Sequence, residues 1–154
     1  MRRTVTYLAL MLSLSLTSCR HENVRHAYRH IPSMSWDKAD TVVLHLGEVA
    51  EEGIYGLYAD VRTNKKYPYA YLYILVEQRL HSPEVVRSDT FCIQMADSTG
   101  KLCGKGRNLL NCESERLPIH LAKGQDGEIR MSHLMHQGML PGISDVGFRL
   151  NRRP

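Results

Sequence analysis

Two pairs of histidines have the spacing of shared metal ligands: His133 and His136 stand three apart, and His26 and His30 four apart. On a helix either spacing would turn both imidazoles to one side, where neutral ring nitrogens bind zinc or a related ion. Neither pair lies in a helical pattern and no third ligand is fixed by spacing, so solvated or interface histidines are the simpler reading and no metal site is expected. Gly104-Lys105-Gly106 has the glycines of a phosphate-cradling loop but neither the Walker pattern nor the dinucleotide fingerprint, and reads as a tight turn. Gly142-Ile143-Ser144-Asp145 is not a nucleophile elbow. Asp37, Asp40, Glu51 and Glu52 are carboxylates of the kind glycosidases pair, but a sequence does not fix their separation in space. A hydrolase would need His120, His133, His136 and nearby carboxylates to meet in one cleft. No catalytic residue is expected.

Tyr69, Tyr71 and Tyr73 alternate within residues 69–78 (YAYLYILVEQ), interleaved with Ala70, Leu72, Ile74 and Val76. A strand would place the apolar set on one face and the tyrosines on the other. Exposed tyrosine rings offer flat, amphipathic area to a sugar or a protein partner, which makes this stripe a candidate binding face. A cross-strand aromatic ladder that serves only the sheet is the competing explanation.

The clearest chemistry belongs to Cys19. Met1-Arg2-Arg3 is basic, residues 5–16 (VTYLALMLSLSL) are apolar but too short to span a bilayer, and Leu16-Thr17-Ser18-Cys19 follows directly. These last four residues resemble a bacterial lipobox. The motif implies cleavage between Ser18 and Cys19, a diacylglycerol joined to the Cys19 sulfur by a thioether, and acylation of the freed amine; no other cofactor is expected. Two or more acyl chains hold a protein stably where one is marginal, at about 0.8 kcal/mol per buried methylene. Residues 1–18 then form a signal peptide and residues 19–35, rich in Arg and His and lacking an apolar stripe, a lipidated tether. Residues 36–154 form the domain. Export leaves Cys92, Cys103 and Cys112, an odd number without CxxC spacing. Cys92 reads as a buried thiol in a strand, and Cys103 with Cys112 as a pair able to meet across a loop.

The elements that must position these groups are strands. Residues 41–46, 54–62, 69–78, 89–96, 117–121, 128–133 and 146–150 alternate or are β-branched, and Thr99-Gly100-Lys101 leads toward a return strand. Tyr55, Leu57, Ala59 and Val61 share one face, as do Phe91, Ile93 and Met95. Turn signals separate the runs at Asn64-Lys65-Lys66, His81-Ser82-Pro83, residues 97–100 and residues 123–127, and no helix-length periodicity interrupts them. The expected fold is an all-β antiparallel β-sandwich, jelly-roll or immunoglobulin-like, in a single domain. A chain of 154 residues with 43% hydrophobic content fits one such core. Its formal charge of +4, half of it from Arg2 and Arg3, is no nucleic-acid footprint.

Taken together, the motifs resemble the GldH family of gliding-motility lipoproteins of the Bacteroidota. The resemblance runs from Cys19 through Trp36-Asp37-Lys38-Ala39-Asp40, then Val61-Arg62-Thr63-Asn64 with Tyr67-Pro68-Tyr69 and Leu72. It continues through Asp89-Thr90, Asp97 with Gly100-Lys101, and Gly104-Lys105-Gly106. It ends in the most specific stretch, Leu140-Pro141-Gly142-Ile143-Ser144-Asp145-Val146-Gly147-Phe148-Arg149-Leu150. Cys103 and Met135-His136 depart from the family pattern. The resemblance implies a lipid-anchored envelope protein without enzymatic activity, tied to gliding and to the type IX secretion machinery through contacts with other envelope proteins. Surface-exported lipoproteins of that phylum carry acidic residues after the cysteine, whereas Arg20-His21-Glu22-Asn23-Val24-Arg25 is mixed to basic. An outer-membrane anchor facing the periplasm is therefore expected. Pro68 would fix φ before a strand, and Gly142 and Gly147 would permit a turn and a close approach.

Overall fold

Alternating side chains give this chain a strand architecture at almost every element. The computed structural model describes residues 24–152, in which a single 3-10 turn at Pro32–Met34 accompanies the strands. They are β1 (Val24–His30), β2 (Ser35–Asp37), β3 (Val42–His45), β4 (Gly53–Thr63), β5 (Tyr71–His81) and β6 (Val85–Gln94). β7 (Leu110–Glu113), β8 (Leu117–Leu121), β9 (Asp126–His133), β10 (Met139–Pro141) and β11 (Ile143–Arg152) complete the series.

One sheet runs β1-β11-β4-β7, with β8 also on β4; the other runs β3-β9-β5-β6; every pairing is antiparallel. β7 and β8 occupy successive stretches of the same β4 edge, Asp60 to Thr63 and Gly53 to Leu57, so they act as one interrupted strand. With the small β2-β10 ribbon set aside, one sheet takes the first, last, third and sixth strands and the other the second, seventh, fourth and fifth. That interleaving is a jelly roll, not an immunoglobulin order.

Between the sheets, Leu57, Val61, Val146, Phe148 and Leu150 meet Leu72, Ile74, Val76, Ile93, Ile129 and Met131, all buried. Trp36, paired with Leu140 in the ribbon, plugs one end of this core with no exposed surface; its Nε1 donates to the Asp40 carbonyl at 2.9 Å. Truncating an aromatic side chain so placed costs about 3–5 kcal/mol.

The folded domain begins earlier than the sequence suggests. Residues 24–30, expected to belong to the tether, form β1, which pairs along its whole length with β11. Its inward side chains are Arg25, Ala27 and Arg29, not large hydrophobics, which hides the strand pattern. Both arginines turn their guanidinium groups to neighbouring segments: Arg25 to the carbonyls of Leu46 and Glu48, Arg29 to Asp40. The signal peptide, the lipobox and Cys19 lie outside the described residues.

Other differences are local. β5 begins at Tyr71, so Tyr69 lies in the preceding loop. Cys92 is exposed, because Phe91 and Ile93 take the inward positions on either side of it. The return strand after Gly100 shrinks to one bridge, Ala96 to Leu102. Cys103 and Cys112 are free thiols, with the Cys112 Sγ donating to the Cys103 carbonyl at 3.2 Å. Burial raises the Cys112 pKa to about 11.

Gly142 joins β10 to β11 at φ +86, and a Cβ there would stand 2.5 Å from the Tyr67 amide nitrogen. Gly142→Ala is expected to cost about 1–3 kcal/mol, read as a lowered urea midpoint. Gly138→Ala, with open space around its Cβ position, should leave the midpoint unchanged.

Candidate interaction surface

With the interior closed by apolar side chains, groups able to meet a ligand lie on the two outer faces. On the β3-β9-β5-β6 sheet, Tyr71 and Tyr73 project outward with 47% and 45% of their surface exposed. Leu134, whose amide bonds to the Tyr73 carbonyl at 2.9 Å, adds an exposed apolar side chain beside them. Cys92 lies directly opposite Tyr73, and its thiol contact with the Tyr73 hydroxyl raises the tyrosine pKa. Tyr69 is not part of this patch. It is half-buried, edge-on to Tyr67 with ring centroids 5.6 Å apart, and packs against the core.

The outer face of the β1-β11-β4-β7 sheet is organised around Asp60. Register places Tyr28, Gly147, Asp60 and Glu113 in one row across the strands. A Cβ on Gly147 would approach the Tyr28 ring within 2.4 Å, so glycine lets the ring lie flat across β11. The Tyr28 hydroxyl then donates to Asp60 Oδ2 at 3.0 Å. Asp60 is only 1% exposed and its Oδ1 has no partner. Burial raises the Asp60 pKa, opposed by the Tyr28 bond and by Arg149. Burial and the nearby carboxylate push Tyr28 up to about 12. Two guanidinium groups flank the pair: Arg62 stacks over Tyr28 at 4.3 Å and Arg149 over Tyr58 at 3.9 Å, Arg149 also donating to Glu113 at 2.7 Å. Such cation–π stacks contribute about 0.5–1 kcal/mol each at exposed sites.

The motif residues mostly build the end of the sandwich near Trp36. The Asn64 amide donates to the Gly142 carbonyl at 2.9 Å, and Asn64 Oδ1 accepts from the Lys66 amide at 2.9 Å. Tyr67 is buried and its hydroxyl donates to the Tyr71 carbonyl at 3.0 Å, while the neighbouring Pro68 is exposed. Leu140 and Ile143 are fully buried, and Asp145 accepts from the Ser144 hydroxyl at 2.7 Å. Gly104 and Gly106 shape the loop before β7, where the glycines let the backbone pass close to Asn111 and Leu109.

The histidines do not converge. His133 is buried against Trp36, ring centroids 5.2 Å apart, and neither of its nitrogens has a hydrogen-bond partner. His120 is exposed beside Glu52, and His136 lies in an exposed loop. Among the described residues no three His, Cys, Asp or Glu side chains come together as a metal site would require. Tyr28 and Asp60 were not singled out by the sequence, and Arg149 stood there only within the family stretch of residues 140–150. Alternation in β4 places Tyr58, Asp60 and Arg62 outward, but nothing in one dimension shows Tyr28 crossing β11 to reach them.

These features define a jelly-roll module that presents aromatic and charged groups on its surfaces. A model of the GldH lipoprotein family matches residues 23–150, and the chain belongs to that family. It is 27% identical over 158 residues to the gliding motility lipoprotein GldH of Flavobacterium johnsoniae, covering 94% of each chain. It is 24% identical to the gliding motility lipoprotein GldH homolog of Christiangramia forsetii, covering 95% of this chain and 94% of that one. Among solved structures, the Eiger TNF of S. frugiperda aligns over 70% of this chain and 63% of its own, with a TM-score of 0.39 and 9% identity.

Two substitutions test the polar arrangement. Tyr28→Phe removes the hydrogen bond to the buried Asp60 and should cost about 1–3 kcal/mol, whereas Tyr58→Phe should change stability by less than about 0.5 kcal/mol. Burial holds the His133 pKa below its usual 6.5; the Lys38 charge adds to this and the Asp37 charge opposes it. The unfolded chain therefore takes up this proton first, so the titration of His133 costs no stability above about pH 6.5 and costs progressively more as pH falls below it. Urea midpoints measured from about pH 7.5 to about pH 5 should fall further for the wild type than for His133→Phe, which keeps an aromatic edge against Trp36.

Proposed function

We propose that this protein is a non-enzymatic accessory lipoprotein of the gliding and type IX secretion machinery, acting through contacts with other envelope proteins. Membership of the GldH lipoprotein family carries the reading. The lipid is a diacylglycerol with an N-acyl chain on Cys19, and the anchor sits in the outer membrane with the domain in the periplasm. Cys19 immediately follows a signal-peptide pattern and stands only a few residues before β1. Whatever conformation those residues take, the chain from Cys19 to Val24 spans at most roughly 18 Å. The Val24 end of the jelly roll is thus held close to the leaflet, and the Trp36 end points away from it.

A second reading, glycan binding, is favoured by one observation: the exposed rings of Tyr71 and Tyr73 on an open sheet face. Tyr69 contributes nothing to it.

Cys19→Ala should abolish labelling with a fatty-acid analogue and move the protein out of the membrane fraction. In-cell crosslinking with this variant as control is expected to capture envelope lipoproteins or secretion components only with the anchored form. Retention of polysaccharide with no protein partner would favour the glycan reading. Protease added to intact cells should leave the domain uncut, and digestion would place it on the cell surface.

A further inference from the structure

The corner farthest from β1's first residue is strongly cationic. Lys65 and Lys66 follow β4; Lys101, Lys105 and Arg107 stand in the segment between β6 and β7, and all are exposed. None pairs with a carboxylate among the described residues. Asp97, the acid on the adjoining turn, spends Oδ1 on the Thr99 amide and hydroxyl and on the Lys101 amide, at 2.7–3.0 Å, and its charge offsets only part of that of Lys101. Like charges left together without partners lower stability, and a binding partner that neutralises them recovers the loss.

This corner also has a hollow. A pocket of about 450 Å³ is lined by Lys65, Tyr67, Gly100, Lys101, Leu102 and Leu110, so an apolar floor lies beneath two lysines. Its walls are held in place. Tyr67 is pinned through its hydroxyl to Tyr71, and the turn that carries Gly100 and Lys101 is closed by backbone bonds from the Gly100 amide to the Asp97 carbonyl at 3.0 Å and from the Asp97 amide to the Lys101 carbonyl at 2.9 Å. Binding to a preformed site avoids the cost of ordering it.

We propose that this corner docks an acidic polypeptide segment that carries a large apolar side chain among its carboxylates. The lysines meet the carboxylates, and Tyr67, Leu102 and Leu110 receive the apolar group. A flat anionic leaflet cannot enter the hollow, and a polyanionic glycan has no apolar group to fill it. β4 separates the corner from the Val24 end by about 30 Å, at roughly 3.4 Å per residue. The site is therefore presented away from the membrane. Only that direction rests on the Cys19 anchor; the binding chemistry does not.

The test uses the lipidated full-length protein in phosphatidylcholine nanodiscs and a fluorescein-labelled Glu-Asp-Leu-Glu-Asp peptide, followed by anisotropy. Saturable, salt-sensitive binding is expected, weakened at least about fivefold when the peptide's Leu is replaced by Ser. Lys65→Glu combined with Lys101→Glu should weaken it at least about tenfold, and Lys123→Glu, beyond β8 at the other end, should not. Both lysines are exposed, and circular dichroism checks that the variant folds. The Cys19→Ala protein should bind the peptide equally well, so loss of anchoring and loss of docking are read separately. No saturable binding, equal binding by the charge-reversed protein, or indifference to the peptide's Leu would each overturn the proposal. So would polyphosphate or phosphatidylglycerol discs engaging the two lysines where the peptide does not.

Discussion

β11 pairs on both sides, with β1 along one edge and β4 along the other, while Val146, Phe148 and Leu150 drive inward from it to the centre of the core. Everything in the first sheet is positioned relative to this strand. Gly147 gives Tyr28 room to cross it, which brings the Tyr28 hydroxyl to Asp60. At its start, Gly142 receives the Asn64 amide and the Thr63 hydroxyl on its carbonyl, fastening β4's exit to β11's entry. One strand therefore fixes the aromatic and charged groups of the outer face and also the loop from which Lys65 projects.

The residues that carry the family resemblance are largely spent on this construction. Trp36, Asn64, Tyr67, Leu140, Gly142 and Ile143 meet at one end of the sandwich, where each is buried or bonded to another segment. They specify a fold and leave the partner unspecified. Other residues of the resemblance, Arg62, Lys101, Lys105 and Arg149, reach the surface instead, and the Tyr71 and Tyr73 rings lie outside it altogether. Exposed groups of this kind can vary without a cost to the core, because ordinary surface substitutions change stability by about 0.5 kcal/mol or less.

Strands with large apolar residues on every second position were legible in the sequence. Residues 117–121 were bounded to the residue, and the inward sets of β4 and β6 were read correctly, as was that of β5 except for Ala70, which is exposed in the loop before it. Strands that break that pattern were not. β1 turns arginines inward, and these hide among the charges of its flanks; β2, β7 and β10 are too short to show a period. The candidate faces were half legible for a related reason. Alternation located Tyr71 and Tyr73, yet Tyr69 follows Pro68 in a loop where alternation no longer sets direction. The cationic corner joins residues on either side of β5 and β6, and only the folded register assembles it.

The partner of the first strand is the last. Val24 sits opposite Asn151, so the ribosome delivers the two halves of this pairing far apart in time. Until the C-terminus emerges, β1 has no neighbour in its sheet and β4 keeps an open edge, the condition in which strands find foreign partners. The final ten-residue strand works as a clasp, and a nascent chain stopped just short of it has the parts of a sandwich without the piece that closes them.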